Sequence, residues 1–238
     1  MFFYLDIYYL LIVLPFVLLA LYASFMVNTT FKRYQRLDIA NGISGAEAAR
    51  MVLARAGLTT VRVEMCQGHL SDHYDPKSDT VYLSSAVYHG RNAAACGVAA
   101  HEAGHAVQHA EEYLPAKVRM SLVPITNIGS SVGMWLILLG IVLCFFAEIF
   151  VYVAYAGILL FSLTALFQLV TLPVEFNASR RAMTALRESG YFTTEEEAGA
   201  RRVLSAAAMT YVAALAVSLA QILRLLLIVA SATGRRRD

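Results

Sequence analysis

Cysteine is scarce in this chain and poorly placed for cross-linking. The three cysteines, Cys66, Cys96 and Cys144, are odd in number, form no Cys-x-x-Cys pair and stand at no metal-ligand spacing to a histidine. That excludes a disulfide framework and fits reduced thiols in a reducing compartment, with Cys144 facing lipid. Charge is scarce too. Only 15% of residues are Asp, Glu, Lys or Arg, and the formal net charge is +2. No basic block with interleaved aromatics occurs, so no nucleic-acid partner is expected. Met1 to Asp6 carries no Lys or Arg, and the apolar run behind it is too long for the core of a signal peptide, which excludes a cleaved leader. What the chain has in abundance is hydrocarbon. Of its 238 residues, 58% are hydrophobic and the mean hydropathy is +0.58, too apolar for an ordinary soluble domain and expected of an integral membrane protein.

From Leu5 to Val27 the sequence is almost wholly apolar, broken only by Asp6, Pro15 and Ser24, enough for one spanning helix. Lys32, Arg33 and Arg36 follow, so the positive-inside rule places the N-terminus outside and residue 28 onward in the cytoplasm. A polar stretch from Asn28 to about Val123 reads as the extramembrane domain. In it, Ser44 with Glu47 forms a capping box opening a helix that runs to Arg55 and stops at Gly57. Val61 to Met65 alternates as a strand, Gly68 to Asp79 is turn-rich, and Thr80 to Ser84 reads as a second strand. An Ala-rich helix runs from about Asn92 to Ala110. The strand just before it is expected to offer an exposed edge for an extended peptide.

Ile128 to Leu172 is long enough for two spanning helices, turning near Phe146-Ala147-Glu148. Pro173 marks its end, and Phe176 to Ser189 reads as a helix closed by Gly190. Thr194 with Glu197 suggests another capping box. Beyond Val203 an apolar tail containing Gln221 and Arg224 either spans or lies at the interface with Arg224 snorkelling; spanning would put Arg235, Arg236 and Arg237 outside, against the charge rule. The expected organisation is thus a mainly α membrane protein of about four apolar helices plus an α+β domain with a small sheet. Its divisions are a first transmembrane helix (1–27), a cytoplasmic domain (28–127), a helical hairpin (128–172), a helix and connection (173–202), and an apolar helix with a basic tail (203–238).

The chemistry concentrates in His101-Glu102-Ala103-Gly104-His105. Histidines four apart on a helix share a face about one turn, ~6 Å, apart, so both imidazoles reach one tetrahedral Zn²⁺. Glu102 is then the general base toward the water that the metal activates. The bland alternative is a helix whose His and Glu only satisfy hydrogen bonds. A catalytic zinc needs one more protein ligand. His109 is eight residues from His101, ~12 Å along the axis and too far to share an ion, so it reads as an interfacial or supporting residue. His69, His73 and His89 remain open from upstream, and Glu175 from downstream, since a helical carboxylate beyond HExxH completes a His₂Glu set. Glu175 reads equally as a helix N-terminal acid paired with Arg180 or Arg181.

The HExxH stretch, Asp72-His73-Tyr74-Asp75-Pro76 and the segment from Pro173 to Ala182 together resemble the YugP-like membrane zinc metallopeptidases, over most of the chain. More distantly, the chain is similar to the HtpX and Ste24 type of membrane protease. The resemblance implies that Glu175 is the third ligand, matching the Glu of a Glu-x-x-x-Asp helix in those more distant families. Here Ser179 stands where they have Asp, so Ser179, with Asn177 nearby, is expected to take over the orienting role as a weaker, neutral group.

These readings make the α+β domain a zincin-like metalloprotease domain and lead to a membrane-embedded zinc endopeptidase with one Zn²⁺ per chain. Its expected substrate is a polypeptide, a membrane protein or a segment near the bilayer, cut at the cytoplasmic surface of a bacterial cell membrane; a membrane adaptor or regulator is unspecified. His73, Tyr74, Arg180 and Tyr211 are the candidates for stabilising the oxyanion. Asp72 and Asp75 read equally as caps of a folded turn. Two rivals stand beside this account. One is a site-2-type intramembrane protease, which needs the motif inside a spanning helix and an Asp ligand, and no Leu-Asp-Gly occurs. The other is an inactive scaffold, against which the intact Glu102 argues because a structural zinc needs no base.

Overall fold

The computed structural model describes residues 6–68 and 71–234. Its elements in order are α1 (Leu14–Tyr34), α2 (Gly45–Arg55), β1 (Arg62–Cys66), β2 (His73–Asp75), β3 (Thr80–Ser84), the short α3 (Ser85–Tyr88), α4 (Ala93–Ala110), α5 (Leu114–Leu143), α6 (Val151–Phe161), α7 (Leu163–Glu188) and α8 (Thr194–Gly234). The protein is mainly helical with one small mixed sheet, as its composition predicts. Among the described residues, four helical stretches are long and apolar enough to cross a membrane: Tyr9–Tyr34, Leu114–Leu143, Glu148–Glu188 and Thr194–Ala232. The chain divides into two compact units, one of residues 1–22, 118–171 and 210–238, the other of residues 23–117 and 172–209.

Small residues shape the first unit. A Cβ on Gly133 would come within 2.7 Å of the Gly157 carbonyl oxygen, so glycines bring α5 and α6 to backbone contact. Ile137, Ala154, Ile158, Leu225 and Val229 form its core. One turn of π-helix, Tyr9–Val13, precedes α1; Pro15 lacks the N–H that would bond back to residue 11, which lets the turn widen there. Arg224 is 3% exposed and donates from Nη2 to Asp6 Oδ2 at 2.5 Å, so in place of snorkelling it lies buried against a carboxylate.

The second unit holds the sheet, in the order β1-β3-β2. β1 runs parallel to β3, and β2 antiparallel to it. Ser44 and Glu47 form the expected capping box of α2, and Gly57, at φ 74°, ends it in a conformation open to glycine. Asn92 caps α4, its Oδ1 accepting from the Ala95 N–H at 3.0 Å. Alanines along α4, with Val52, Leu53, Leu83, Leu186 and Leu204, make the main core. All three cysteines are free thiols, and burial pushes the Cys96 thiol up to about 12.

Several local expectations need correction. β3 is the central strand, so its edges are both paired; the open edges belong to β1 and β2. The turn-rich stretch contains β2, too short to alternate visibly. Its aspartates still cap: Asp72 accepts from the Ser84 N–H at 2.7 Å and Asp75 from the Lys77 N–H at 3.0 Å. Pro173 does not end a helix but lies inside α7, and Pro124 inside α5; each deletes one backbone hydrogen bond that the surrounding turns tolerate. The second capping box sits one residue earlier than expected, Thr193 with Glu196. Glu196 is fixed there because its carboxylate also accepts the Ala40 N–H at 2.7 Å. The tail is continuous with the Ala-rich segment as one helix of 41 residues.

Candidate metal centre

Two helices of the second unit build the centre. α4 presents His101 and His105 one turn apart, and α7 presents Glu175. They meet because α4 has no side chain where α7 crosses it: a Cβ on Gly104 would lie 2.7 Å from the Ala178 carbonyl oxygen. The Ala103-Gly104 pair inside the motif is therefore what admits the second helix. His101 Nε2 lies 3.2 Å and His105 Nε2 3.6 Å from Glu175 Oε2. Ligand atoms of the three residues all lie within 4.8 Å of one another.

The other nitrogen of each ring is held. His101 Nδ1 is 3.1 Å from Ser179 Oγ, and His105 Nδ1 is 3.0 Å from Gln108 Oε1. With the proton on each Nδ1 and donated to these oxygens, both Nε2 lone pairs point toward Glu175. This donor set fits a zinc ion, since two imidazole nitrogens and a carboxylate oxygen are the three protein ligands usual in a catalytic site.

Gln108 is the residue that sequence reasoning missed. It is 1% exposed, and its Nε2 donates to the Val174 carbonyl at 2.8 Å and to Asn177 Oδ1 at 2.9 Å. Asn177 Oδ1 also accepts from Arg181 Nε at 2.7 Å, and Arg181 Nη2 pairs with Glu111 at 2.7 Å. A polar chain thus runs from Glu111 to His105. A signal was present: an amide three residues after His105 and seven after His101, on the same helix face as both histidines.

Glu102 is half-buried beside the cluster, and among the described residues its carboxylate makes no hydrogen bond. Burial raises its pKa and Glu175 and Asp72 add to the rise, while His101 and His105 oppose it. For His105, burial pulls the pKa down, but Glu175 and Glu102 outweigh it and the net shift is upward.

His73 is exposed, its Nδ1 2.8 Å from the Ser71 carbonyl oxygen and its ring stacked on Tyr82. The Tyr74 hydroxyl donates to Asp79 at 2.8 Å and lies 3.1 Å from His109 Nδ1, which gives His109 a supporting role beside β2. Burial and Asp79 push the Tyr74 phenol up. His89 is exposed against Tyr88, and His69 lies outside the described residues. Arg180 is exposed on α7. Tyr211 is on the stretch of α8 that belongs to the other unit.

Comparison with known proteins bears on the same residues. The sequence model of a family described as "Putative neutral zinc metallopeptidase" matches residues 9–230. The chain is 45% identical over 210 residues to the "Putative membrane protease YugP" of Bacillus subtilis (strain 168), covering 88% of this chain and 91% of that one. No solved structure gives a significant match.

Proposed function

The chain belongs to the neutral zinc metallopeptidase family, and on that premise we propose that it is a membrane-embedded zinc endopeptidase acting on membrane or membrane-proximal polypeptides. The observation that carries the reading is the convergence of His101 Nε2, His105 Nε2 and Glu175 Oε2, with both Nδ1 atoms already engaged. Zinc held by these three residues would supply Lewis acidity, which lowers the pKa of a bound water toward about 7 and polarises a scissile carbonyl.

The chain's own residues do the rest. Glu102, whose carboxylate accepts no hydrogen bond among the described residues, accepts the proton of the attacking water and delivers it to the leaving amine. Gln108 and Ser179 hold the two imidazoles in one tautomer. The open edge of β2 offers backbone donors and acceptors to an extended peptide.

Placement at a membrane surface rests on the helices. Glu175 sits on α7, whose apolar turns start at Leu163 in a stretch long enough to cross a bilayer. α4 is not among the helices apolar enough to span, which favours a surface site over an intramembrane one. Lys32, Arg33 and Arg36 after the first apolar stretch, and Arg180 and Arg181 after the third, favour the cytoplasmic side.

The test is cleavage by the zinc-loaded full chain, reconstituted in vesicles, of one peptide sequence offered free and offered tethered to a transmembrane helix. Tethering raises the local concentration near the bilayer, and at least about tenfold faster cleavage of the tethered form is expected. Equal rates contradict a membrane-proximal substrate, and loss of both activities in Glu102→Gln assigns the cleavage to this site.

A further inference from the structure

A cavity of about 350 Å³ lies between the end of α1 and the start of α8, lined by Arg33, Tyr34, Arg36, Glu195, Gly199 and Arg202 among others. None of its lining residues belongs to the metal centre. Among the described residues, Arg33, Arg36 and Arg202 form no salt bridge, and Glu195 is the cavity's one acidic lining residue. The arginines are positioned. Tyr34 hydroxyl accepts from Arg202 Nη1 at 2.8 Å, and the Arg33 guanidinium stands 5.6 Å above the Tyr34 ring centre. Gly199 admits that ring, since a Cβ there would lie 2.8 Å from Tyr34 Cδ1. The end of α1 with the turn after it, and α8, far apart in sequence, therefore bring three guanidiniums, unneutralised by ion pairs among the described residues, to one concave site.

Its place on α1 selects the ligand. Arg33 is in the last turn of a helix long and apolar enough to span. Exposed Met26 lies two turns back on the same face, about 10 Å along the axis, the direction in which an acyl chain would run. Guanidiniums bind phosphate oxygens bidentately, and basic pockets at the membrane-facing ends of helices suit lipid headgroups.

We propose that this cavity binds the phosphate headgroup of an anionic phospholipid, with Arg33, Arg36 and Arg202 on the headgroup and the acyl chains along α1 past Met26. Ala200, between the α8 residues that line the cavity, packs where Gly97 leaves α4 bare, 3.0 Å from the position of a Cβ there. A bound headgroup therefore braces the helix that carries the histidines.

Native mass spectrometry of the detergent-solubilised full chain, titrated with phosphatidylglycerol or with zwitterionic phosphatidylcholine, tests this. Phosphatidylglycerol should stay bound where phosphatidylcholine does not. Its affinity should fall at least about tenfold in R33A/R36A/R202A and severalfold in R36A, which keeps both Tyr34 contacts and guards against a misfolded triple variant. R62A, an exposed arginine elsewhere, should bind as wild type. Equal retention of the two lipids, or wild-type affinity in both R36A and the triple variant, overturns the proposal. Displacement of phosphatidylglycerol by an equal concentration of inorganic phosphate also overturns it, in favour of a free-anion site.

Discussion

Gln108 Oε1 lies 3.0 Å from His105 Nδ1, and that contact sets which nitrogen of the imidazole faces Glu175. The amide cannot turn away, because its Nε2 is committed to Val174 and Asn177. Gln108→Ala should lower zinc affinity by about 10- to 100-fold, measured by competition with a chromogenic chelator. It also leaves the His105 Nδ1–H without its acceptor, so the apo chain should lose about 1–3 kcal/mol of stability. Unchanged zinc affinity would mean that the contact does not orient the ring.

Ser179 performs the same task for His101 with a neutral oxygen. A carboxylate accepts from the ring Nδ1–H more strongly than a hydroxyl and makes the other nitrogen a better donor. Ser179→Asp is expected to tighten zinc binding, and Ser179→Ala to loosen it by about tenfold or more. Isothermal titration of the metal-free chain reads both, and equal affinities in the three proteins would contradict the assignment.

Gly104 separates packing from ligation. Gly104→Ala keeps every ligand but places a methyl 2.7 Å from a backbone oxygen, which cannot move as a side-chain tip would. A loss of about 1–3 kcal/mol is expected in denaturant unfolding, with weakened zinc binding because Glu175 retreats with α7. Full stability in this variant would contradict the close crossing.

The capping box of α2 carries a pH signature. The Ser44 backbone N–H, and then its hydroxyl, hold the Glu47 carboxyl below its ordinary value of 4.5. A carboxyl with a lowered folded-state pKa stabilises above the unfolded value and loses that contribution as pH falls through the folded one. Glu47→Gln should therefore melt below wild type at pH 7, and the gap should close as pH drops below about 5. A gap independent of pH would contradict the hydrogen bonds seen here.

What the sequence made legible follows from which forces are local. The His101–His105 pair, the Ser44–Glu47 box and the Asn92–Ala110 helix rest on spacings within one or two turns, and the structure has them where the residues place them. Glu175 lies 74 positions from His101, and periodicity alone left it beside three histidines; the resemblance to a metallopeptidase family singled it out. β2 escaped notice because three residues between Asp72 and Pro76 carry no visible alternation, and their pairing with β3 is tertiary. Pro173 misled because a proline ends an isolated helix, whereas α7 is continuous through it and Val174, Ala178 and Ala182 beyond it are buried. The capping box moved to Thr193 and Glu196 for a partner outside the helix, the Ala40 N–H. Gln108 was visible as a letter but not as a ligand holder, since both its amide partners come from α7.

The most direct test of the central claim is the zinc content of the detergent-purified full chain beside Glu175→Ala and Glu102→Gln. The His₂Glu site predicts about one zinc per chain in wild type, the same in Glu102→Gln with peptide cleavage lost, and little in Glu175→Ala. Full zinc in Glu175→Ala would contradict the site and return the third ligand to the upstream histidines.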